Sequence, residues 1–321
     1  MNKLTRISIA FVGLMVIVSS HADAAWIWTP QTRRWINPKS AAKDTPAEQM
    51  QVSLNYFEMG DYAKSAKEFT KLVKTYPRSE LAPDAQYLAG VSFELEGSLS
   101  HAFAAYKQVV EIYPFSGRFK DSIEREFAVA EALFSGEKMR VLGPVKVVGL
   151  DKAIEIYDHI VQHAPYGEYG DEAQFRLGDS YLRQKRYEEA NRAFQKMTEE
   201  YADSPLVEQA KFKVAFCARQ LSLKASYDQS ATDEAITWYE KFIATQPSPE
   251  LLDQAKESLK QLHTIKAEGL MKIAEFYEIQ KKWDAASVYY KQVIGDYSDT
   301  DTAAQAAAKL GVIEAKAIPK K

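Results

Sequence analysis

Apolar and aromatic positions recur with the same spacing in six stretches of the chain. The stretches begin at six anchor residues: Tyr62, Leu99, Leu150, Tyr187, Thr232 and Trp283. Three positions after each anchor the residue is small, and ten positions after it the residue is apolar. Seven positions after each anchor stands an aromatic residue: Phe69, Tyr106, Tyr157, Phe194, Tyr239 and Tyr290. Offsets of three, seven and ten lie on one face of an α-helix, so the pattern predicts six amphipathic helices.

A second helix is predicted before each anchor. The stretch Ala85–Gly90 matches Ala173–Gly178, and both glycines stand nine residues before their anchors. Gly60 and Gly97 indicate the turn inside the first two units. Proline then ends the anchor helix in four units, because it lacks an N–H and restrains the preceding residue. These prolines are Pro77, Pro114, Pro165 and Pro247. Each unit is therefore predicted to be helix, turn and helix.

This repeat resembles the tetratricopeptide repeat, whose spacing is kept by Gly90, Ala102, Tyr106 and Pro114. The resemblance covers residues 46–303 and implies an all-α superhelical solenoid of about six helix-turn-helix units. Unequal anchor spacings indicate insertions around residues 137–148, 221–230 and 249–264. We expect these to project as loops or longer helices, with the last as added helix. They mark either a contact surface or tolerated surface variation.

The first 24 residues have the pattern of a secretory signal peptide. Lys3 and Arg6 precede the apolar run Ile7–Val18, and Ala22 and Ala24 suit a cleavage site. We expect a mature chain that begins at Ala25 and is exported to the periplasm. The alternative is an uncleaved N-terminal anchor. The predicted segments are thus a signal peptide (1–24), a Trp- and Pro-rich extended segment (25–45), the repeat domain (46–303) and a C-terminal helix end and tail (304–321).

Three of the five tryptophans, Trp26, Trp28 and Trp35, stand in the segment before the repeats. Alternation around Trp26 and Trp28 predicts an extended conformation. This segment either inserts its aromatic side chains into a partner or a membrane interface, or folds back over the apolar end of the first repeat. Both interpretations stay open at this stage.

The sequence offers little chemistry that suits catalysis. The net charge is −3, so there is no basic excess for nucleic-acid binding. Phosphate loops and nucleophile elbows are absent from the sequence. His159 and His163 stand four residues apart on one helix and could in principle share a metal, but no Cys or third His is placed to join them. Cys217, in an apolar helical context, is expected to be a buried core residue. We therefore expect a protein without enzyme activity, cofactor or metal.

The remaining candidate site is a groove lined by the first helices of the units, which would take a segment of a partner protein. By repeat position, Tyr87, Glu94, Asp179 and Arg183 are expected to face it. Trp26, Trp28 and Trp35 are the other candidate partner-binding residues.

Several features of the chain resemble the BamD family of outer-membrane assembly factors. They are the Tyr-Pro helix endings, the insertion in the third unit, the stretch Tyr227–Ile236 before Tyr239, and the closing unit with Ala274–Ala286 and Asp296–Thr300. The resemblance implies a scaffold in outer-membrane β-barrel protein assembly that contacts a BamA-like barrel protein or other envelope proteins. Family members carry an acylated N-terminal Cys, whereas the one Cys here is Cys217. Outer-membrane association without a lipid anchor is therefore expected.

Two other interpretations compete with this one. A soluble periplasmic coordinator of cell-envelope or cell-wall machinery, resembling CpoB, would suit the missing lipidation site. That family has an N-terminal coiled coil, for which residues 25–46 show no heptads. An enzyme or enzyme-regulatory subunit acting on cell-wall polymer is the third.

Overall fold

The computed structural model describes residues 27–29, 34–36, 41–136, 138–142, 145–224 and 229–317. Within these ranges the chain forms thirteen helices and four short strands. The strands are β1 (Ile27–Thr29), β2 (Arg34–Ile36), β3 (Lys138–Leu142) and β4 (Val145–Val148). The helices are α1 (Pro46–Glu58), α2 (Tyr62–Thr75), α3 (Ala82–Leu95), α4 (Leu99–Ile112), α5 (Phe119–Phe134), α6 (Leu150–His163), α7 (Gly170–Arg183), α8 (Tyr187–Glu200), α9 (Val207–Lys224), α10 (Gln229–Ala244), α11 (Pro249–Ile279), α12 (Trp283–Asp296) and α13 (Asp301–Ala317). The predicted signal segment, 1–24, lies outside the described residues.

Helices α1 to α12 pack as six consecutive pairs, and each helix also packs on the next one along the chain. We call the members of a pair the first and second helix of units one to six. In five units the anchor residue predicted from the sequence is the first residue of the second helix, and in unit five Thr232 lies inside α10. The predicted all-α tetratricopeptide-repeat solenoid of six units is confirmed.

The residues that define the repeat form the core between helices. All six aromatic residues at the seventh offset have no exposed surface, and neither do the six small residues at the third offset. A small side chain lets the neighbouring helix approach, and the aromatic ring fills the space beside it. Gly90, on the facing helix, also lets the two helices approach closely, because a Cβ at that position would overlap the ring of Tyr106.

The turn inside a unit repeatedly uses one residue with positive φ, two positions before the anchor. That residue is Gly60 (φ 74°) in unit one and Gly97 (φ 77°) in unit two. In units four and six it is Lys185 and Lys281, both with φ 59°. L-residues with a Cβ adopt this left-handed conformation at a cost, so the helix pairing imposes it on the lysines.

The insertion in unit three is a β-hairpin. Strands β3 and β4 pair antiparallel, with Lys138 opposite Val148 and Leu142 opposite Val145, and the register shifts between Arg140 and Leu142. Our expectation of a loop or longer helix there is wrong. Valines are enriched in this segment and favour extended backbone, which outweighs the helical context on either side.

The other two insertions lengthen helices. Residues 249–264 form the first half of α11, a single helix of 31 residues, so the prediction of added helix is confirmed. In unit five, α9 continues to Lys224 and α10 begins at Gln229, while residues 225–228 lie outside the described part.

The segment before the repeats contains the hairpin β1–β2, in which Trp28 pairs with Trp35. The extended conformation predicted around Trp28 is therefore confirmed. The Trp28 side chain is 46% exposed. Trp26 lies outside the described residues, and Trp35 is described only as part of its strand.

Helix α13 closes the other end of the stack. It packs on α11 and α12, and Ala306 and Ile313 join the buried cluster of unit six. It begins at Asp301, so the predicted segment boundary at residue 303 falls inside this helix. Among the described helices, none is both long and apolar enough to cross a membrane.

Candidate protein-binding surface

Charged side chains connect the first helices of units two to five. One ion pair joins α3 to α5, one joins α5 to α7, and one joins α7 to α9. The pairs are Glu94–Arg125 (3.3 Å), Glu131–Arg176 (3.0 Å) and Asp179–Lys213 (2.7 Å). Each pair is partly exposed, so each contributes little to stability. Their effect is to fix the orientation of side chains along the first helices.

Two adjoining cavities open on this face of units three to six. One has a volume of about 450 Å³ and the other about 620 Å³, and they share Leu182, Lys213 and Phe216. We call them together the α7–α9 groove. The smaller cavity is completed by α7 and the end of α5, and the larger one by α9 and the start of α11. The smaller cavity is also lined by Phe134, Arg176, Asp179 and Arg183. The larger cavity is also lined by Glu208, Phe212, Glu250 and Leu251.

The two halves of the groove differ in charge. The smaller cavity carries four cations, Arg176, Arg183, Lys185 and Lys213, and one carboxylate, Asp179. The larger cavity carries the carboxylates of Glu208 and Glu250 with Lys213. Aromatic and leucine side chains stand between the charged groups. A groove of this kind suits an extended segment that places acidic groups over α7 and an apolar side chain against α9.

Arg183 is held in place by the end of α5. Its guanidinium donates a hydrogen bond to the carbonyl oxygen of Phe134, and its Cζ lies 3.5 Å from the centroid of the Phe134 ring. Cation–π contact and the hydrogen bond together fix the guanidinium before any partner binds. Arg183 and Asp179, both selected from the sequence, thus lie together in the same cavity.

Tyr87 and Glu94, the other groove candidates, lie on α3, two units from α7. Tyr87 packs on Tyr106 with ring centroids 5.7 Å apart, and the guanidinium of Arg118 lies 5.0 Å from its ring. Glu94 accepts a hydrogen bond from Tyr106 at 2.7 Å. The structure therefore assigns Tyr87 ring contacts and Glu94 a hydrogen bond and an ion pair with Arg125, while their role in recognition stays a prediction.

Sequence reasoning did not select the α9 side of the groove, Phe212, Lys213 and Phe216. The signal was present, because Phe212 and Phe216 are four residues apart and lie on one helix face. This spacing was not recognised as part of a binding surface, because the apolar residues around Cys217 are typical of a segment that is buried in the core. Cys217 itself has no exposed surface, and burial raises its pKa to about 12. The prediction that it is a core residue is confirmed.

The structure places a third potential metal ligand beside the two histidines of α6. Glu111 of α4 brings a carboxylate to His159 and His163, and one ligand atom from each residue lies within 4.8 Å of the others. The sequence could not show this neighbour, which is 48 residues before His159 and in another unit.

Family models match two parts of the chain. A tetratricopeptide-repeat model matches residues 53–117. The model of YfiO, described as outer membrane lipoprotein, matches residues 149–316, just over half of the chain. The chain belongs to the YfiO outer membrane lipoprotein family. Members of these two families are in general non-catalytic protein-interaction scaffolds, and the family indicates a place in the cell envelope.

Comparison with curated proteins gave no match. Among solved structures, the chain is similar to the MamA protein, with 16% identity over 62% of this chain and 90% of that chain and a TM-score of 0.33. It is also similar to a tetratricopeptide-repeat protein from Parabacteroides merdae, at 14% identity over 84% and 98%, with a TM-score of 0.31. YrrB, described as having an unusual peptide-binding site, shows 16% identity over 68% and 94%, with a TM-score of 0.32.

Proposed function

We propose that this protein is a BamD-like scaffold in the assembly of outer-membrane β-barrel proteins, and that it binds a BamA-like barrel protein through the α7–α9 groove. One observation carries the proposal. The YfiO match, residues 149–316, contains α6 to α12 and with them both α7 and α9 and the start of α11. The part of the chain that matches the family therefore supplies the lining of the groove, apart from Phe134 at the end of α5.

The groove is suited to binding rather than to reaction chemistry. Asp179 is paired with Lys213, and Arg183 is fixed against Phe134. Such pairs give a preformed pattern of charge, which selects a partner and steers its approach. The apolar side chains between them supply the contact area that makes the complex last. A partner segment with acidic groups and one large apolar side chain meets both requirements.

We further propose that the protein works in the periplasm and is held at the outer membrane without a lipid. Cys217 is fully buried in α9, so this thiol is not accessible to acylation. Trp28, in the hairpin β1–β2, is 46% exposed and offers an amphipathic ring of the kind that prefers a membrane interface. Recovery of the mature protein entirely in the soluble periplasmic fraction would refute the attachment.

Photo-crosslinking from inside the groove tests the binding proposal. A photoreactive residue replaces Phe216, which lines both cavities, and a control replaces Lys196, an exposed residue on α8. We expect a cross-link to a BamA-like barrel protein from Phe216 and none from Lys196. Adding Lys213→Glu should lower the yield about tenfold, because it opposes acidic groups of the partner. Adding Lys196→Glu should leave the yield unchanged.

The CpoB-like coordinator remains the second candidate, because the one Cys is buried and so offers no lipid site. It predicts cross-links from Phe216 to TolA-type or cell-wall proteins without a barrel protein. Equal cross-linking from Phe216 and Lys196 would contradict both functions as assigned to the groove.

A further inference from the structure

Three side chains from two repeat units converge at the contact between α4 and α6. His159 and His163 lie on consecutive turns of α6, and Glu111 lies near the end of α4. One ligand atom from each of the three lies within 4.8 Å of the others. The rings of the histidines are 4.1 Å apart between centroids. Imidazole nitrogens and a carboxylate in this arrangement are the donor set that zinc binds in proteins.

His159 is already oriented as a ligand would be. It is 5% exposed, and its Nδ1 lies 2.8 Å from the carboxylate of Glu126, which has no exposed surface. With Glu126 ionised, Nδ1–H donates to that carboxylate and fixes the tautomer that leaves a lone pair on Nε2. A carboxylate behind the imidazole is the usual partner of a metal-bound histidine.

The Nε2 atom of His159 has no hydrogen-bond partner among the described residues, although it is buried. It points toward Glu111, whose Oε1 is 3.8 Å away. A buried polar atom without a partner costs free energy, so this arrangement needs a reason. A cation between Nε2 and the carboxylate supplies one.

His163 contributes the second nitrogen. Its Nδ1 lies 2.9 Å from the backbone carbonyl oxygen of His159, and donation to that oxygen leaves Nε2 as the acceptor. Residues four apart on a helix share a face, as in helical metal sites that use two histidines. In both histidines Nδ1 thus already has a hydrogen-bond partner, which leaves Nε2 as the acceptor.

We propose that Glu111, His159 and His163 form a zinc site that joins units two and three, with Glu126 as the positioning residue. Zinc at about 2.1 Å from each ligand would need donor atoms about 3.4 Å apart. The exposed side chains of Glu111 and His163 can rotate, and this rotation shortens the distances between the donor atoms from within 4.8 Å to the distance that zinc needs. The ammonium of Lys107 lies 3.7 Å from Glu111 and competes for it, but an exposed pair of this kind is weak. Three protein ligands leave a fourth position for water or a partner's side chain.

Zinc titration of the full, tag-free chain after chelator treatment tests the site, with a chromophoric chelator as competitor. We expect one tight site in the wild-type protein. His163→Ala and Glu111→Gln, both at exposed positions, should weaken zinc binding by about tenfold or more. His263→Ala is the control, because His263 pairs with Asp299 at 3.0 Å in unit six. It should leave the affinity unchanged.

Two further measurements separate coordination from structural effects. Cobalt bound to the wild-type protein should give the visible absorption of a four-coordinate ion, and His163→Ala should lose it. Glu126→Gln should keep that spectrum but weaken zinc binding by about tenfold, because the amide orients His159 less well than a carboxylate. Zinc should raise the Tm of the wild-type protein and not that of His163→Ala. Equal zinc affinity in the wild-type, Glu111→Gln and His163→Ala proteins would overturn the proposal.

Discussion

The hydroxyl of Tyr106 donates a hydrogen bond to the carboxylate of Glu94, twelve residues earlier on the facing helix, at 2.7 Å. The pair Tyr290–Glu278 repeats this bond at the same separation, at 2.9 Å. Burial and the nearby carboxylate raise the pKa of Tyr106 well above its usual range. In units one and four the ring has no hydroxyl, and the residue twelve positions earlier is apolar. The matching pairs there are Phe57 with Phe69 and Leu182 with Phe194. In these four units the ring and the residue twelve positions earlier therefore vary together, whereas Tyr157 of unit three donates to Glu131, 26 residues earlier.

Replacing Tyr106 by Phe should lower the free energy of unfolding by about 1 kcal/mol, because Glu94 loses a donor. The double variant Tyr106→Phe with Glu94→Leu copies the pair of unit four. We expect it to lose less than the sum of the two single variants, by about 1 kcal/mol, in a double-mutant cycle measured by urea unfolding. Strict additivity would show that the hydrogen bond contributes nothing.

Adding a methyl group at Gly178 should destabilise the stack. A Cβ there would lie 2.6 Å from Cε1 of Phe194, and that ring is fully buried. Overpacking of this kind costs about 1–3 kcal/mol. Gly295→Ala, in α12, is the matched control, because its Cβ would have nothing within 4 Å. It should be neutral or stabilising by up to about 1 kcal/mol, and thermal unfolding of both variants tests the difference.

Lys281 is expected to be a site where glycine stabilises the fold. Its φ of 59° matches the turn position that Gly60 occupies in unit one. Lys281→Gly should raise the free energy of unfolding by about 1 kcal/mol, because the strain of a Cβ at positive φ disappears. The reverse change, Gly60→Lys, should lower it by a similar amount. A destabilised Lys281→Gly protein in urea unfolding would contradict this account.

Glu126 should make stability depend on pH. Burial raises its pKa above the usual carboxyl range, while the hydrogen bond from His159 lowers it. Between the unfolded and the folded pKa of Glu126, the folded state therefore binds a proton that the unfolded state has lost. The corresponding stability is present below about pH 4.5 and is lost as pH rises toward the folded pKa. In chelator-treated protein, Glu126→Gln should remove this loss and be the more stable form at neutral pH.

Glu208 is expected to give stability the opposite dependence on pH. Hydrogen bonds from the side chain and backbone of Ser248 lower its pKa. Its stabilisation is present above the usual carboxyl range and is lost as pH falls, which is the opposite direction. Unfolding of Glu208→Gln across the same pH range should therefore show a change of opposite sign, and parallel pH profiles for the two variants would refute the assignment.

The six helix pairs could be predicted because every unit carries the same types of residue at the same offsets from its anchor. Tyr106 and Phe194, for example, stand at the same offset from their anchors and are buried in the same way. The hairpin β3–β4 was not predicted, because the spacing of the repeats shows only that unit three has extra residues. It does not show which secondary structure those residues form. The alternation of Val145 with Val147 was a local strand signal that the helical context obscured.

The groove and the α4–α6 cluster show where sequence reasoning stops. Asp179 and Arg183 are one helical turn apart, so their common face was predictable. Lys213 joins them only because α9 packs beside α7 at a particular rotation, and that rotation depends on every side chain between the helices. Glu111 meets His159 for the same reason, across a unit boundary.

Helix α11 changes the cooperativity of the C-terminal half. Its first half packs in the core of unit five through Ala255 and Leu262, and its second half packs in unit six through Met271 and Ala274. The helix is about 46 Å long, with no turn between the two halves. In a stacked repeat, fraying normally proceeds unit by unit from an end. Here the last two units share one continuous helix, so we expect them to gain or lose order together.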